Sequence, residues 1–198
     1  MTNDLDKYLN LLSEIKGRTI VIGNLDIQGS KRVHDVHIEF VCLQIRKILE
    51  LIAFGSLVSN IKIYSKEYEK FSKFWNAELM LKDMGKININ FYPKPLVQKK
   101  SEIEGVENDL SSLSEDKYLT INEFVKVYKK CGAILHSDNP YGSQIDYIYY
   151  RRNIPIWLEK IRMLLNTHEI QLIDDDTLYL MQMGSRKQSP SCTRFEKV

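Results

Sequence analysis

The chain has few cysteines, prolines and glycines for its length, and neither sign of charge dominates. Its 198 residues include three cysteines, five prolines and nine glycines. Cys42, Cys131 and Cys192 are far apart and form no CxxC pair, which argues against a disulfide framework and against a zinc site. The formal net charge is +2, from 28 basic and 26 acidic residues. Any contact with nucleic acid therefore has to come from a local patch of charge.

Long apolar runs and nucleotide-binding fingerprints are also missing from the sequence. The longest apolar run, LELIAFGSLV, is too short to span a bilayer. The start, MTNDLDKYLNLL, has acidic residues and no basic segment before an apolar one, so we expect no signal peptide. P-loop, GxGxxG and GxSxG motifs do not occur. We therefore expect a cytoplasmic protein that contacts no membrane and binds neither a cofactor nor a metal.

The apolar spacing predicts a mainly α-helical protein with a domain that resembles a four-helix bundle. The strongest helical signal begins near Arg32 and places apolar residues at alternating steps of three and four: Ile38, Val41, Ile45, Ile48 and Ile52. A second apolar stripe follows the same segment, so this helix is expected to be buried on more than one side. Arg46 and Glu50, four residues apart, are expected to pair along it.

Three further helices are predicted. One follows Ser65 and ends near Gly85. Another starts at Thr120, where Glu123 completes the spacing of a capping box. The last covers IPIWLEKIRMLLNTH, with Pro155 in its first turn.

The order of these elements predicts three segments. Residues 1–31 are expected to form a short helix and then an extended stretch at GRTIVIG. Residues 32–168 form the helical domain, interrupted at about 85–117 by a polar, proline-containing connection that we expect to be flexible. Residues 169–198 alternate in a way that predicts a small C-terminal antiparallel β-hairpin or meander.

The stretch YKKCGAILHSDNPYG contains the most distinctive candidate site. His136 follows the end of a predicted helix, just before a turn, and is expected to be at least partly accessible. Lys130 lies six residues before His136, and Arg162 stands at the same spacing before His168. Histidine transfers protons near neutral pH, and a cation stabilises the charge of a phosphorane. A ribonuclease that uses the 2′-hydroxyl of its own substrate needs little more than this pair, and no metal.

With four main helices and a cation-to-histidine spacing at a helix end, the chain resembles the HEPN superfamily over about residues 32–168. Two segments carry the resemblance: LHSDNPYG, which places the histidine before an Asn-Pro turn, and LQIRKILELI on the first long helix. Proteins of this superfamily are four-helix bundles that often dimerise. Many are metal-independent ribonucleases of cellular or antiphage defence. The resemblance therefore implies a ribonuclease that acts on RNA and forms a homodimer.

In that hypothesis His136 is the general acid or base, and Lys130 holds the scissile phosphate as its catalytic partner. The residues expected to bind the substrate around them are basic or aromatic: Lys129, Tyr141, Arg151 and Arg152. Tyr128 is a second candidate for stacking on a base. Arg162 and His168 are a secondary candidate pair.

A second hypothesis is a non-catalytic helical module that binds a protein partner or nucleic acid. The nearly balanced charge favours it. Several aromatic side chains suit an interface: Trp75, Tyr92, Tyr141, Tyr147, Tyr149, Tyr150 and Trp157. In this hypothesis His136 is a structural or capping histidine. The sequence leaves both hypotheses open.

Overall fold

Five helices and five strands are found in the part of the chain that the structure describes. The structure is a computed structural model, and it describes residues 2–28, 32–59, 76–137, 139–171 and 177–195. The helices are α1 (Thr2–Gly23), α2 (Arg32–Ser59), α3 (Ala77–Ile87), α4 (Ile121–Ala133) and α5 (Tyr147–Leu165). The strands are β1 (Lys94–Lys100), β2 (Asn108–Ser112), β3 (Thr167–Gln171), β4 (Leu178–Gln182) and β5 (Ser191–Phe195).

Helix α2 is the element around which the other described helices pack. It contacts α1, α3, α4 and α5. Four residues of its predicted apolar stripe are completely buried: Ile38, Val41, Ile45 and Ile48. The predicted long helix beginning near Arg32 is therefore confirmed, as is its burial on more than one side. Arg46 Nε lies 3.4 Å from Glu50 Oε1, so the predicted ion pair is confirmed too.

Helix α1 is longer than the sequence predicted, because the β-branched stretch at GRTIVIG is helical and not extended. The residues that α1 buries are Tyr8, Leu12, Ile15 and Ile22. They stand at steps of four, three and seven, which keep to one face of a helix across that stretch, and α1 packs against α2. Burial of this face outweighs the weak intrinsic preference of β-branched residues for strands.

The prediction of a mainly α-helical, four-helix-bundle-like protein with a small C-terminal β-hairpin is wrong. The strands form one antiparallel sheet in the order β2-β1-β3-β4-β5. Strand β1 joins it by pairing with β3, with Pro95 opposite His168. Ile170, Tyr179 and Met181 belong to the same hydrophobic core as the helices. The protein is therefore of the mixed α and β class.

Two of the strands were missed because they carry no usable pattern. All five residues of β2 are exposed, so no alternation of apolar and polar residues marks it. Strand β1 begins between Pro93 and Pro95, and proline normally argues against a strand. Both strands lie within 85–117, where the sequence predicted a flexible connection.

The helix starts were predicted with mixed success. The capping box of α4 is confirmed: the Thr120 side chain accepts from the Glu123 amide, and the Glu123 carboxylate accepts from the Thr120 amide. Pro155 does not lie in a first turn, because α5 already begins at Tyr147, with Asp146 as its N-cap.

The helix predicted from Ser65 falls mostly outside the described residues. In its described part, Asn76 is extended and caps the start of α3, so the prediction of one continuous helix from Ser65 to Gly85 is wrong at that residue; α3 ends at Ile87. Within the described ranges, the helices are too short or too polar to cross a bilayer.

The loop between β4 and β5 is held to α1 by one ammonium group. Lys16 Nζ donates to the carbonyl oxygens of Met183, Ser185 and Gln188 at 2.7, 2.6 and 2.5 Å, and lies 3.4 Å from that of Gly184. Because these carbonyl dipoles converge on the positive charge, a single side chain fixes the path of the loop.

Replacing Lys16 with methionine keeps the length of the side chain and removes its charge. We expect faster amide hydrogen exchange at residues 183–188 and a free energy of unfolding lower by about 1–2 kcal/mol. Lys7→Met is the matched control, because Lys7 is exposed and pairs with Asp4 of the same helix; it should cost less than about 0.5 kcal/mol. Unchanged exchange at 183–188 in Lys16→Met would contradict the anchoring role.

Candidate nucleic-acid interface

A groove of about 650 Å³ lies between α4 and α5, and we call it the lysine groove. Four lysines and one acid line it: Lys126, Lys129, Lys130, Lys160 and Glu123. Its other walls include Val127, Ile156, Trp157 and Tyr149. The positions on α4 recur at steps of three and four, and so do those on α5. Each helix therefore presents one face to the groove.

Two of these lysines form ion pairs with described carboxylates, and two do not. Lys160 Nζ lies 2.5 Å from Glu123 Oε1, and Lys129 Nζ lies 2.8 Å from Glu78 Oε1. Lys126 and Lys130 have no carboxylate partner among the described residues. The groove thus keeps free positive charge although the chain as a whole is nearly balanced.

The acid of the groove is held in its charged form. Partial burial would raise the pKa of the Glu123 carboxyl. Hydrogen bonds from Lys160 and from Thr120 outweigh burial and lower that pKa below its usual value. Glu123 therefore keeps Lys160 in place at neutral pH.

A second cavity, of about 460 Å³, contains the histidine singled out by the sequence, and we call it the His136 depression. Helix α2 contributes Arg32, Asp35 and Glu39 to it. The segment after α4 contributes residues 134–137, and the first turn of α5 contributes Tyr147. Because 32, 35 and 39 are spaced by three and four, they share one face of α2.

The acids of the His136 depression are engaged, whereas its histidine is open to solvent. Arg151 Nη2 lies 2.5 Å from Asp35 Oδ1, and the Tyr147 hydroxyl donates to Glu39 Oε1 at 2.6 Å. His136 is exposed, as predicted. Its ring has no hydrogen bond to another described residue. The depression therefore combines an accessible proton-transfer group with an exposed cation, Arg32.

The structure separates the two residues that the sequence paired as catalytic. Lys130 lines the lysine groove, where its Nζ lies 5.1 Å from the centre of the Tyr149 ring, and His136 lines the His136 depression. The cation that shares a cavity with His136 is Arg32.

The predicted substrate-binding residues are similarly divided. Lys129 lies in the lysine groove, and Arg151 is largely buried in its ion pair with Asp35. Arg152 is exposed and lines neither cavity, and Tyr141 is 98% exposed.

The Tyr128 ring is not accessible to a base. It is 4% exposed, and the guanidinium carbon of Arg46 lies 3.9 Å from its centre. Of the aromatic residues proposed for an interface, three are buried: Tyr92, Tyr150 and Trp157. Tyr147 and Tyr149 are half-buried. Trp75 lies outside the described residues.

His168, the secondary candidate, is fully buried between α1 and the sheet. Its Nδ1 lies 2.9 Å from the Leu165 carbonyl oxygen, which can only accept, so Nδ1 carries the hydrogen. Nε2 therefore accepts from the Tyr8 hydroxyl at 2.8 Å. Arg162 pairs with Glu159 on the surface of α5. The second spacing of cation and histidine thus forms no common surface site.

Several lining residues were not singled out from the sequence. Arg32, Asp35 and Glu39 have a spacing that predicts a shared helix face, but nothing local indicates that this face meets residues 134–137. Lys126 and Lys160 lie on the faces of α4 and α5 that form the lysine groove. On α4 the available signal was the spacing of Lys126, Lys129 and Lys130 at steps of three and four, whereas α5 contributes Lys160 alone.

No protein-family model, curated protein or solved structure matches this chain.

Burial of His168 makes stability depend on pH. Burial lowers its pKa from 6.5 to about 4, although the hydrogen bond to Leu165 acts in the opposite direction. Between these two values the unfolded chain binds more protons than the folded one. The free energy of unfolding therefore has its full value above pH 6.5. It decreases by about 3 kcal/mol as the pH falls from 6.5 to about 4.

We expect His168→Gln to remove this component from the pH dependence of the unfolding free energy. Urea denaturation from about pH 7 to about pH 4.5 measures it, because carboxylates common to both proteins cancel in the difference. Equal slopes for the two proteins would contradict the assignment. NMR gives an independent check, since the His168 ring should not titrate above about pH 5.

Proposed function

We propose that the protein binds single-stranded RNA in the lysine groove. The observation that carries the proposal is the convergence of four lysines on a groove with an apolar floor, two of them without a carboxylate partner among the described residues. Phosphates are attracted to such charge, and counterion release adds to the affinity. Unpaired bases bring flat apolar surfaces that the floor and the half-buried Tyr149 ring accommodate.

Single-stranded RNA fits the lysine groove better than double-stranded RNA does. Single-strand sites combine a basic groove with aromatic contacts, whereas double-stranded RNA is recognised mainly through its phosphates and 2′-hydroxyls over a much longer footprint. We place this activity in the cytoplasm, because the free cysteines of the chain suit a reducing compartment.

The double variant Lys126→Ala/Lys130→Ala tests the proposal. We expect it to weaken the binding of a labelled single-stranded RNA of roughly 12 nucleotides, measured by fluorescence anisotropy. The slope of log affinity against log salt should fall by about 1.4, because each lost contact removes about 0.7 for a single strand.

Lys99→Ala/Lys100→Ala is the matched control. It removes the same charge from exposed positions of β1 outside the lysine groove. If both double variants lower the affinity and the salt slope equally, binding is a diffuse electrostatic effect and the proposed site is wrong.

A second candidate function is metal-independent cleavage of RNA at His136. It is favoured by the presence of an accessible histidine and Arg32 in one cavity, and it agrees with the activity that the resemblance to the HEPN superfamily implies. His136 would take the proton of a 2′-hydroxyl, whose oxygen attacks the adjacent phosphorus. Arg32 would stabilise the charge on the phosphorane. His136 would return the proton to the departing 5′-oxygen, leaving a 2′,3′-cyclic phosphate.

Cleavage is tested by incubating RNA with the protein in EDTA. We expect a 2′,3′-cyclic phosphate product, and a cleavage rate lower by about 10²-fold or more in His136→Gln. An all-deoxy strand should bind and stay intact, because it lacks the 2′-hydroxyl. An equal rate in His136→Gln would exclude His136 as the acid or base.

A further inference from the structure

We propose that one RNA strand occupies the lysine groove and continues around the C-terminal end of α4 into the His136 depression, an inference that rests on the proposed function. The two cavities adjoin along the chain. The lysine groove includes Ala133 and Tyr149, and the His136 depression includes Ile134 and Tyr147. The end of α4 and the start of α5 therefore form walls of both.

The lysine groove is long enough for about four stacked nucleotides. Its α4 wall runs from Glu123 to Ala133, which is about 15 Å at 1.5 Å per residue. A stacked strand advances about 3.4 Å per nucleotide. A tetranucleotide therefore fills the lysine groove, and only a longer strand reaches His136.

Two of the three acids that line this path are neutralised by described cations. Glu123 has Lys160 at 2.5 Å, and Asp35 has Arg151 at 2.5 Å. The third, Glu39, accepts a hydrogen bond from the Tyr147 hydroxyl at 2.6 Å and keeps its negative charge, which Arg32 offsets in the same cavity.

The cations along the same path remain free. Lys126 and Lys130 in the lysine groove, and Arg32 in the His136 depression, have no carboxylate partner in the described ranges. Three such cations against one acid without a cationic partner, Glu39, leave an excess of positive charge that fits a polyanion in contact with both cavities. A nucleic-acid strand is favoured over an acidic peptide, because Ile156 is 53% exposed and Tyr149 half-exposed beside the lysines, where bases can pack.

The test uses two 2′-O-methyl oligouridylates, of about 4 and about 12 nucleotides, which cannot be cleaved through a 2′-hydroxyl. NMR of the whole chain follows the amides of Lys130 and Asn153 in the lysine groove and the ring of His136. We expect the short strand to shift the amides alone, and the long strand to shift the amides and the His136 ring.

Affinities in an Arg32 variant give the second readout. Arg32→Ala should weaken the long strand several-fold, lower its salt slope by about 0.7 and leave the short strand unaffected. Arg186→Ala, an exposed charge on the β4–β5 loop, is the matched control and should change neither affinity.

Three results would contradict the proposed path, and they differ in whether RNA binding in the lysine groove is contradicted as well. If the long strand needs Lys126 and Lys130 but neither moves the His136 ring nor responds to Arg32→Ala, the path is wrong and RNA binding in the lysine groove stands. If neither strand responds to the lysine variant, the proposed function fails as well. If polyglutamate shifts the same signals with equal affinity, the lysine groove is a site for acidic peptides.

Discussion

The apolar surface of α2 is wider than any single neighbouring helix can cover. Its buried positions lie on more than one side, and leaving them in water would forfeit roughly 1.5–3 kcal/mol for each large side chain. Helices α1, α3, α4 and α5 together supply the cover. This arrangement brings the end of α4 and the start of α5 against the first turns of α2. The His136 depression is a consequence, because its walls are those three segments.

The sheet is tied to this helical layer through α1. Tyr8 packs over Gly55 of α2, where a Cβ would come within 3.0 Å of the Tyr8 ring. The hydroxyl of the same tyrosine donates to His168 of β3. One side chain thus needs a glycine on one side and a neutral histidine on the other. Lys16, two turns further along α1, fixes the β4–β5 loop.

The sequence was sufficient where the signal lies within one element. The patterns identified α2 and the capping box at Thr120, because a helical face and a capping box are both determined by residues a few positions apart. They failed for α1, where β-branched residues were given more weight than the continuing helical spacing. They also failed for β2, which is exposed throughout. Pairing of β1 with β3 joins residues about 75 positions apart, and no local signal encodes such a contact.

The candidate site shows the same limit. The exposure of His136 followed from a turn just after a helix, which is local information. The cation that shares a cavity with His136 could not be predicted in this way, because Arg32 comes from α2. Lys130, which was chosen for its spacing, faces α5 instead. Spacing along one helix places side chains on a common face only at steps of three or four. When two residues are six positions apart and the helix ends between them, the relative direction of their side chains is set by the tertiary fold.

Screening limits how far the charges of the lysine groove act at the His136 depression. From the end of α4 the helix rises about 10 Å back to Lys126 and about 5 Å back to Lys130, against a Debye length of about 8 Å at physiological ionic strength. The field of Lys126 is therefore largely screened at that end of α4, and of the two lysines only Lys130 is near enough to add to the local concentration of phosphate there. In the proposed binding mode a strand that spans both cavities would not depend on that field, because binding in the lysine groove would hold its next nucleotides at the His136 depression at a high effective concentration. With a net charge of only +2, covalent continuity of the ligand is a stronger means of delivery than electrostatic steering.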